Sequence, residues 1–147
     1  MSKTIQKKVL NKIFDNLSFS DKPGMLIASP SDNPPYKFHW VRDVSIVMRV
    51  IIDQYKKTKS NKYFVKLIDY INNCNDIQEL DTLTGLGEPK INIDGTPYNE
   101  PWGRPQNDGP ALRGLNMINL FFILKDTHKH IAEKLIIPVL QKDLNYI

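Results

Sequence analysis

Two stretches of this sequence are apolar around nearly their whole circumference, and each lies between stretches that carry a single apolar stripe. In residues 40–56 and 110–125, apolar side chains occupy nearly every face of a helical projection. Residues 3–17, 61–80 and 127 onward instead show the one-sided spacing of an amphipathic helix. Because a helix that is apolar all round is buried, the sequence predicts five helices in the order outer, inner, outer, inner, outer.

This pattern predicts an all-α fold. No segment of strand length shows a period-two alternation of apolar and polar residues. Ser60 or Asn61 can cap the third helix, and Pro138 is expected to kink or split the fifth. At 147 residues, the chain is expected to form one domain.

Composition and charge argue against several other classes of protein. The net charge is +4, but no run of five or six like charges and no nucleic-acid motif is present, so we expect no nucleic-acid partner. Residues 1–20 lack the apolar region of a secretory signal, which favours an intracellular location while leaving the compartment unknown. The longest apolar stretch, 117–124, is too short to span a bilayer, so no membrane segment is expected.

Metal and disulfide chemistry are not expected either. Cys74 is the single cysteine and cannot form an internal disulfide. We predict that His39, His128 and His130 lie at the surface or in loops, because no carboxylate or cysteine cluster accompanies them at metal-ligand spacing. The sequence therefore indicates no metal and no cofactor.

Two long loops are the candidate for a functional site. Segments 19–39 and 81–109 precede the two predicted inner helices, and loops of this length are uncommon unless they are functional or disordered. Because short links join the other helices, both loops should lie at one end of the assembly, beside the positive N-termini of the inner helices. One tryptophan, Trp102, lies in the second loop and the other, Trp40, directly follows the first, and arginines and aspartates stand at the loop ends. Rings with Arg forks and carboxylates suit a sugar, whose C–H faces stack while its hydroxyls form hydrogen bonds.

Two motifs in these loops resemble those of a known family. The first reads GMLIASPS at 24–31 and NPPYKFHWVRD at 33–43; the second reads GLGEPKINIDGTPY at 85–98 and WGRPQNDGPALR at 102–113. They closely resemble the glucoamylases, glycoside hydrolase family 15. The resemblance covers essentially the whole chain, because PVLQKDLNY at 138–146 is similar to the segment that leads to the family's catalytic acid.

The resemblance implies a fold and an activity. It implies that residues 1–147 are the N-terminal portion of an (α/α)6-barrel catalytic domain, about five of its twelve helices, alternating outer and inner. The activity implied is that of a glucan 1,4-α-glucosidase, which releases glucose with inversion from the non-reducing ends of starch- or glycogen-type chains. An α-glucan or maltooligosaccharide is the implied partner.

The resemblance also implies site residues. The residues that resemble the family's substrate-binding positions are Tyr36, Trp40, Arg42, Asp43 and Trp102. Two further residues, Arg104 and Asp108, match positions that support the second loop. The family's acid and base are glutamates in segments that follow Ile147 in the resemblance. We therefore assign no catalytic residue in this chain and expect the isolated chain to be inactive.

Three interpretations remain open at this stage. The chain can be a truncated or split piece of a glucoamylase, a domain completed by a second chain, or a non-catalytic glucan-binding or regulatory module. The two all-round apolar helices bear on all three, because five helices in an open arc leave apolar surface uncovered.

Overall fold

Helices account for most of the residues whose structure is described. The structure is a computed structural model, and it describes residues 2–147. The helices are α1 (Lys3–Leu17), α2 (Val41–Thr58), α3 (Asn61–Gln78), α4 (Asp108–Leu124), the single turn α5 (Lys129–Ile131) and α6 (Ile137–Tyr146). The all-α prediction is confirmed, and the helix ends lie within about two residues of those expected, the usual uncertainty of helix ends.

Local sequence explains how the helices begin and end. The Ser2 hydroxyl accepts a hydrogen bond from the Ile5 N–H at 3.3 Å and caps α1. Lys59 ends α2 in a left-handed conformation, with φ of 52°. Ser60 stands at the N-cap position of α3 but forms no side-chain cap bond, so the predicted capping function is absent there.

The last predicted helix is continuous but changes its hydrogen-bonding pattern along its length. Residues Ala132–Ile136 form a π-helical turn between α5 and α6, and Pro138 lies in the first turn of α6. Proline has no N–H and its ring clashes with the carbonyl four residues earlier, which is that of Lys134 within the π turn. The helix is therefore not split at Pro138, because helical residues continue without interruption from Lys129 to Tyr146 and the irregularity before the proline is the π turn.

The inner pair α2 and α4 forms the centre of the core. Helix α4 packs against α2 on one side and α6 on the other, and α3 contacts both α2 and α6. Met48, Ile51, Met117 and Leu120 are fully buried at the α2–α4 contact region. No helix within residues 2–147 is long and apolar enough to cross a membrane.

The two inner helices are not buried all round, contrary to the prediction. Ile46 on α2 and Phe122 on α4 are 51% and 65% exposed, and Val50 and Leu115 beside them are also exposed. These side chains form one apolar edge on α2 and another on α4. The helices are apolar on most of their faces, but the described chain covers only part of each.

A small antiparallel sheet joins the two long loops. Strand β1 (Phe38–Trp40) pairs with β2 (Lys90–Asn92) so that Phe38 lies opposite Asn92 and Trp40 opposite Lys90. The prediction of no strand is wrong in this detail. The sheet continues directly into α2, because the Val41 N–H donates to the Pro89 carbonyl at 3.0 Å. As predicted, both loops therefore meet at the N-terminus of α2.

Candidate functional site

A cavity of about 420 Å³ opens where the two loops meet the first turn of α2. Its volume is within the range of about 300–1,000 Å³ that small-molecule sites occupy. The residues that line it are Ala28, Tyr36, Trp40, Arg42, Asp43, Trp102 and Gln106. The structure thus brings together all five residues predicted for substrate binding.

Three aromatic rings form one wall of the cavity. Trp40 packs edge to face on Trp102 with ring centroids 5.3 Å apart, and Tyr36 lies 6.4 Å from Trp40. Trp102 and Tyr36 are each more than 40% exposed, whereas Trp40 is 7% exposed. The indole N–H of Trp40 is buried and has no acceptor among residues 2–147. An exposed aromatic surface is suited to a ligand that has C–H faces.

The strand geometry of β1 explains how these side chains separate. Successive side chains of a strand point to opposite faces, so Phe38 and Trp40 share a face and His39 points the other way. His39 is 2% exposed, and its Nδ1 accepts a hydrogen bond from the Leu26 N–H at 3.3 Å. The prediction of a surface or loop histidine is wrong for His39. Burial, with the positive charge of Arg113, lowers the pKa of His39 to about 3, so it is neutral and holds the first loop.

Charged groups also line the cavity. The Arg42 guanidinium donates a hydrogen bond to Asp108 at 2.9 Å, and its Nε lies 3.9 Å from Asp43. The hydrogen bond from Arg42 to Asp108 raises the pKa of Arg42. Arginine has five N–H donors, and this is the single hydrogen bond that Arg42 donates within residues 2–147. Its remaining donors are free to bind a ligand beside the Asp43 carboxylate.

Arg104 lies deeper than the cavity and connects several parts of the second loop. Its Nε donates to both carboxylate oxygens of Glu88 at 2.9 and 3.0 Å. Its other nitrogens donate to the Tyr98 and Glu100 carbonyls. The Arg104 and Glu88 side chains are 10% and 3% exposed. Arg104 therefore contacts the loop rather than the cavity, while Asp108 contacts Arg42 at the cavity edge.

Sequence reasoning did not single out two of the lining residues. Gln106 and Ala28 both lie within the motifs that carry the resemblance, but neither has a residue type that indicates binding by itself. Within residues 2–147, no three His, Cys, Asp or Glu side chains are grouped closely enough to hold a metal ion.

Comparison with known proteins identifies the family. The model of the glycosyl hydrolases family 15 matches residues 4–147. Glucoamylase-1 of Arthroderma benhamiae is 37% identical over 98% of this chain and 26% of its own length. A probable glucoamylase of Schizosaccharomyces pombe is 36% identical over 84% of this chain and 29% of its own length.

Solved structures agree with the sequence comparison. The glucoamylase of Hormoconis resinae superimposes with a TM-score of 0.88 at 31% identity, over 97% of this chain and 27% of that protein. The glucoamylase of Saccharomycopsis fibuligera gives 0.88 at 29% identity, over 97% of this chain and 35% of that one. The chain therefore spans about a quarter to a third of these relatives. With nearly all of its residues matched by the family model, the chain belongs to the glycosyl hydrolases of family 15.

Proposed function

We propose that the cavity binds the terminal glucose unit of an α-1,4-linked glucan, and that the chain supplies this subsite to a glucoamylase-like glucan 1,4-α-glucosidase. The observation that carries the proposal is the meeting of Tyr36, Trp40 and Trp102 with the Arg42–Asp43 pair around one cavity. Because the chain belongs to family 15, a sugar is the ligand that both the geometry and the relatives favour.

Each side of the cavity matches one property of a sugar ring. The exposed faces of Tyr36 and Trp102 can stack on its C–H groups. The free donors of Arg42 and the acceptor oxygens of Asp43 can bind neighbouring hydroxyls in fixed geometry. The N-terminus of α2 adds further positive potential at the same point.

We further propose that the catalytic acid and base are not among these 147 residues. Inverting hydrolysis needs two carboxyl groups about 6.5–9.5 Å apart, one protonated and one ionised. Glu88 is buried against Arg104, and Asp108 accepts the hydrogen bond of Arg42. Both carboxylates are thus engaged in holding other residues, which favours binding without turnover by the chain alone.

Titration calorimetry with maltose and acarbose tests the proposal. The wild-type chain should bind, and Arg42→Ala and Trp102→Ala should each weaken binding at least about tenfold, equivalent to about 1.4 kcal/mol. Arg49→Ala is the matched control, because Arg49 lies on the same helix, is exposed and lines none of the described cavities. Failure of the wild type to bind either sugar would refute the proposed subsite. Steady release of glucose from maltooligosaccharide would refute the absence of the acid and base.

A specific observation also favours a second candidate function, in which the chain associates with a second chain whose helices cover the apolar edges. Ile46 and Val50 form one exposed edge, and Leu115 and Phe122 form the other. Exposed apolar patches of this kind mark interaction surfaces or aggregation sites. Sedimentation velocity should show concentration-dependent association that is reduced in Phe122→Lys and Ile46→Lys. A chain that stays monomeric at all concentrations would count against this candidate and favour an independent glucan-binding module.

A further inference from the structure

A tyrosine at the end of α6 contacts the second loop outside the cavity. Tyr146 is the last residue of α6, and it does not line the cavity. Its hydroxyl donates a hydrogen bond to Oδ1 of Asn107 at 2.9 Å. The same hydroxyl lies so close to the backbone of Gly87 that a Cβ added there would overlap it. Tyr146 therefore contacts the second loop at two points that are well separated in sequence.

These two points are connected to each other and to the cavity. The Gln106 N–H donates to the Gly87 carbonyl at 2.8 Å, and the Gln106 side chain lines the cavity. On the other side of Asn107, Asp108 accepts the hydrogen bond of Arg42. Because planar peptides hold adjacent Cα atoms about 3.8 Å apart, an anchored Asn107 limits the positions that its two neighbours can reach.

The side chain of Asn107 forms this contact instead of a local one. Asn107 occupies the N-cap position of α4, where asparagine commonly accepts a hydrogen bond from the first turn of the helix. It forms no such cap bond, and its bond with Tyr146 is the single side-chain hydrogen bond it makes among residues 2–147. Both side chains are exposed, so this bond adds little to the stability of the whole chain. Its main effect is on the position of the loop.

We propose that Tyr146 is a positioning residue, which holds Gln106 and Asp108 at the cavity through its contacts with Gly87 and Asn107. This differs from a general stabilising function, which would affect every part of the chain alike. The effect of Tyr146 is local to the second loop. The relevance of that effect to a sugar rests on the proposed function.

Amide hydrogen exchange measured by NMR tests the proposal without a ligand. The amide of Gln106 reports local opening of the second loop, and that of Leu120, which is fully buried in α4, reports global unfolding. Tyr146→Phe removes only the hydroxyl, and Asn107→Ala removes its acceptor. Asn107→Asp retains an acceptor oxygen. Tyr63→Phe is the matched control, because that ring packs on α1, away from the second loop.

Tyr146→Phe and Asn107→Ala should each speed the exchange of the Gln106 amide at least about twofold, as expected for the loss of one hydrogen bond. The exchange of Leu120 should not change. Asn107→Asp and the Tyr63→Phe control should retain the wild-type rates. The double variant should exchange no faster than either single variant, because both remove the same bond. Unchanged exchange of Gln106 in the folded variants, or equal acceleration at Leu120, would overturn the proposal.

Calorimetry with maltose separates this inference from the proposed function. Tyr146→Phe should weaken binding at least about twofold, while its free energy of unfolding in urea stays close to that of the wild type. A wild-type chain that binds no maltose would refute the proposed function, and the exchange of Gln106 would still decide whether Tyr146 positions the loop. Faster exchange with an unchanged affinity for maltose would contradict a positioning function at the sugar.

Discussion

Replacement of Asp143 by Asn should strongly destabilise the chain, because it removes one charge of a buried pair that joins α4 to α6. Arg113 donates from Nε to Asp143 at 2.9 Å and bonds the same carboxylate through a second nitrogen. The two side chains are 3% and 0% exposed. Burial disfavours the charge of Arg113, but the hydrogen bonds and charge of Asp143 outweigh that effect and raise its pKa. Gln78 donates to the same carboxylate at 2.8 Å.

The expected loss follows from the charge that is left behind. Removing one partner of a buried ion pair costs about 3–5 kcal/mol, because the other charge remains without compensation. Asp143→Asn should therefore lower the free energy of unfolding by about that amount, measured by urea denaturation followed by far-ultraviolet circular dichroism. That is a large fraction of the about 5–15 kcal/mol that stabilises a typical domain.

A double-mutant cycle separates the charge from the change in packing. Arg113→Met combined with Asp143→Leu removes both charges and keeps apolar volume at the site, so this variant should be more stable than either single variant. The pair is not coupled as the geometry indicates if Asp143→Asn lowers the free energy of unfolding by less than about 1 kcal/mol. The same holds if the effects of Arg113→Met and Asp143→Leu on that free energy simply add in the double variant.

Three further outcomes follow from individual buried residues. His39 is held neutral, so between about pH 6.5 and its pKa of about 3 the unfolded state binds one more proton than the folded state. Unfolding free energy should fall with decreasing pH by up to about 1.4 kcal/mol per unit for this group, and urea titrations of His39→Gln should lack that slope. Gly24 has φ of +83°, and a Cβ there would lie 2.2 Å from the Asp69 carbonyl oxygen. Gly24→Ala should therefore lower the free energy of unfolding by more than about 2 kcal/mol. The control is Gly85→Ala, where no atom lies within 4 Å of an added Cβ, and a smaller decrease in melting temperature for Gly24→Ala than for Gly85→Ala would contradict this. Burial raises the pKa of Cys74 to about 12, so a disulfide reagent at neutral pH should label it only after unfolding, and rapid labelling of the folded chain would refute its burial.

The helices could be predicted from the sequence because each depends on local periodicity. The one-sided stripes and the all-round apolar stretches marked α1 to α4 correctly, since side-chain spacing and burial are coupled in a helix. Their exposed edges could not be predicted in the same way. An apolar face in the sequence shows that a neighbour is favoured, but not whether the chain supplies one.

The strand pair shows where sequence reasoning was incomplete. Tyr36, Phe38 and Trp40 do alternate with period two, but β1 has three residues, which is shorter than the segments that alternation usually identifies. Without β1, His39 resembled an ordinary loop residue rather than a buried one.

The residues of the candidate site could be predicted because they lie within the two loop motifs. Tyr36, Trp40, Arg42, Asp43 and Trp102 meet at one cavity, as expected from two loops at one end of the helices. The contacts among them were not predictable. The hydrogen bond between Arg42 and Asp108 joins residues far apart in sequence, and no local pattern indicates it.

The most direct test of the sugar-binding subsite is a titration of the two indole N–H resonances, those of Trp40 and Trp102, with maltotriose. The chain has two tryptophans, so a heteronuclear correlation spectrum shows one indole N–H signal from each of them. Both signals should shift and saturate together, with the larger shift at Trp102, whose side chain is 46% exposed at the cavity. Arg42→Ala should raise the sugar concentration needed for half-saturation at least about tenfold, and Arg49→Ala should leave it unchanged. Signals that stay in place at every concentration of sugar would contradict the account.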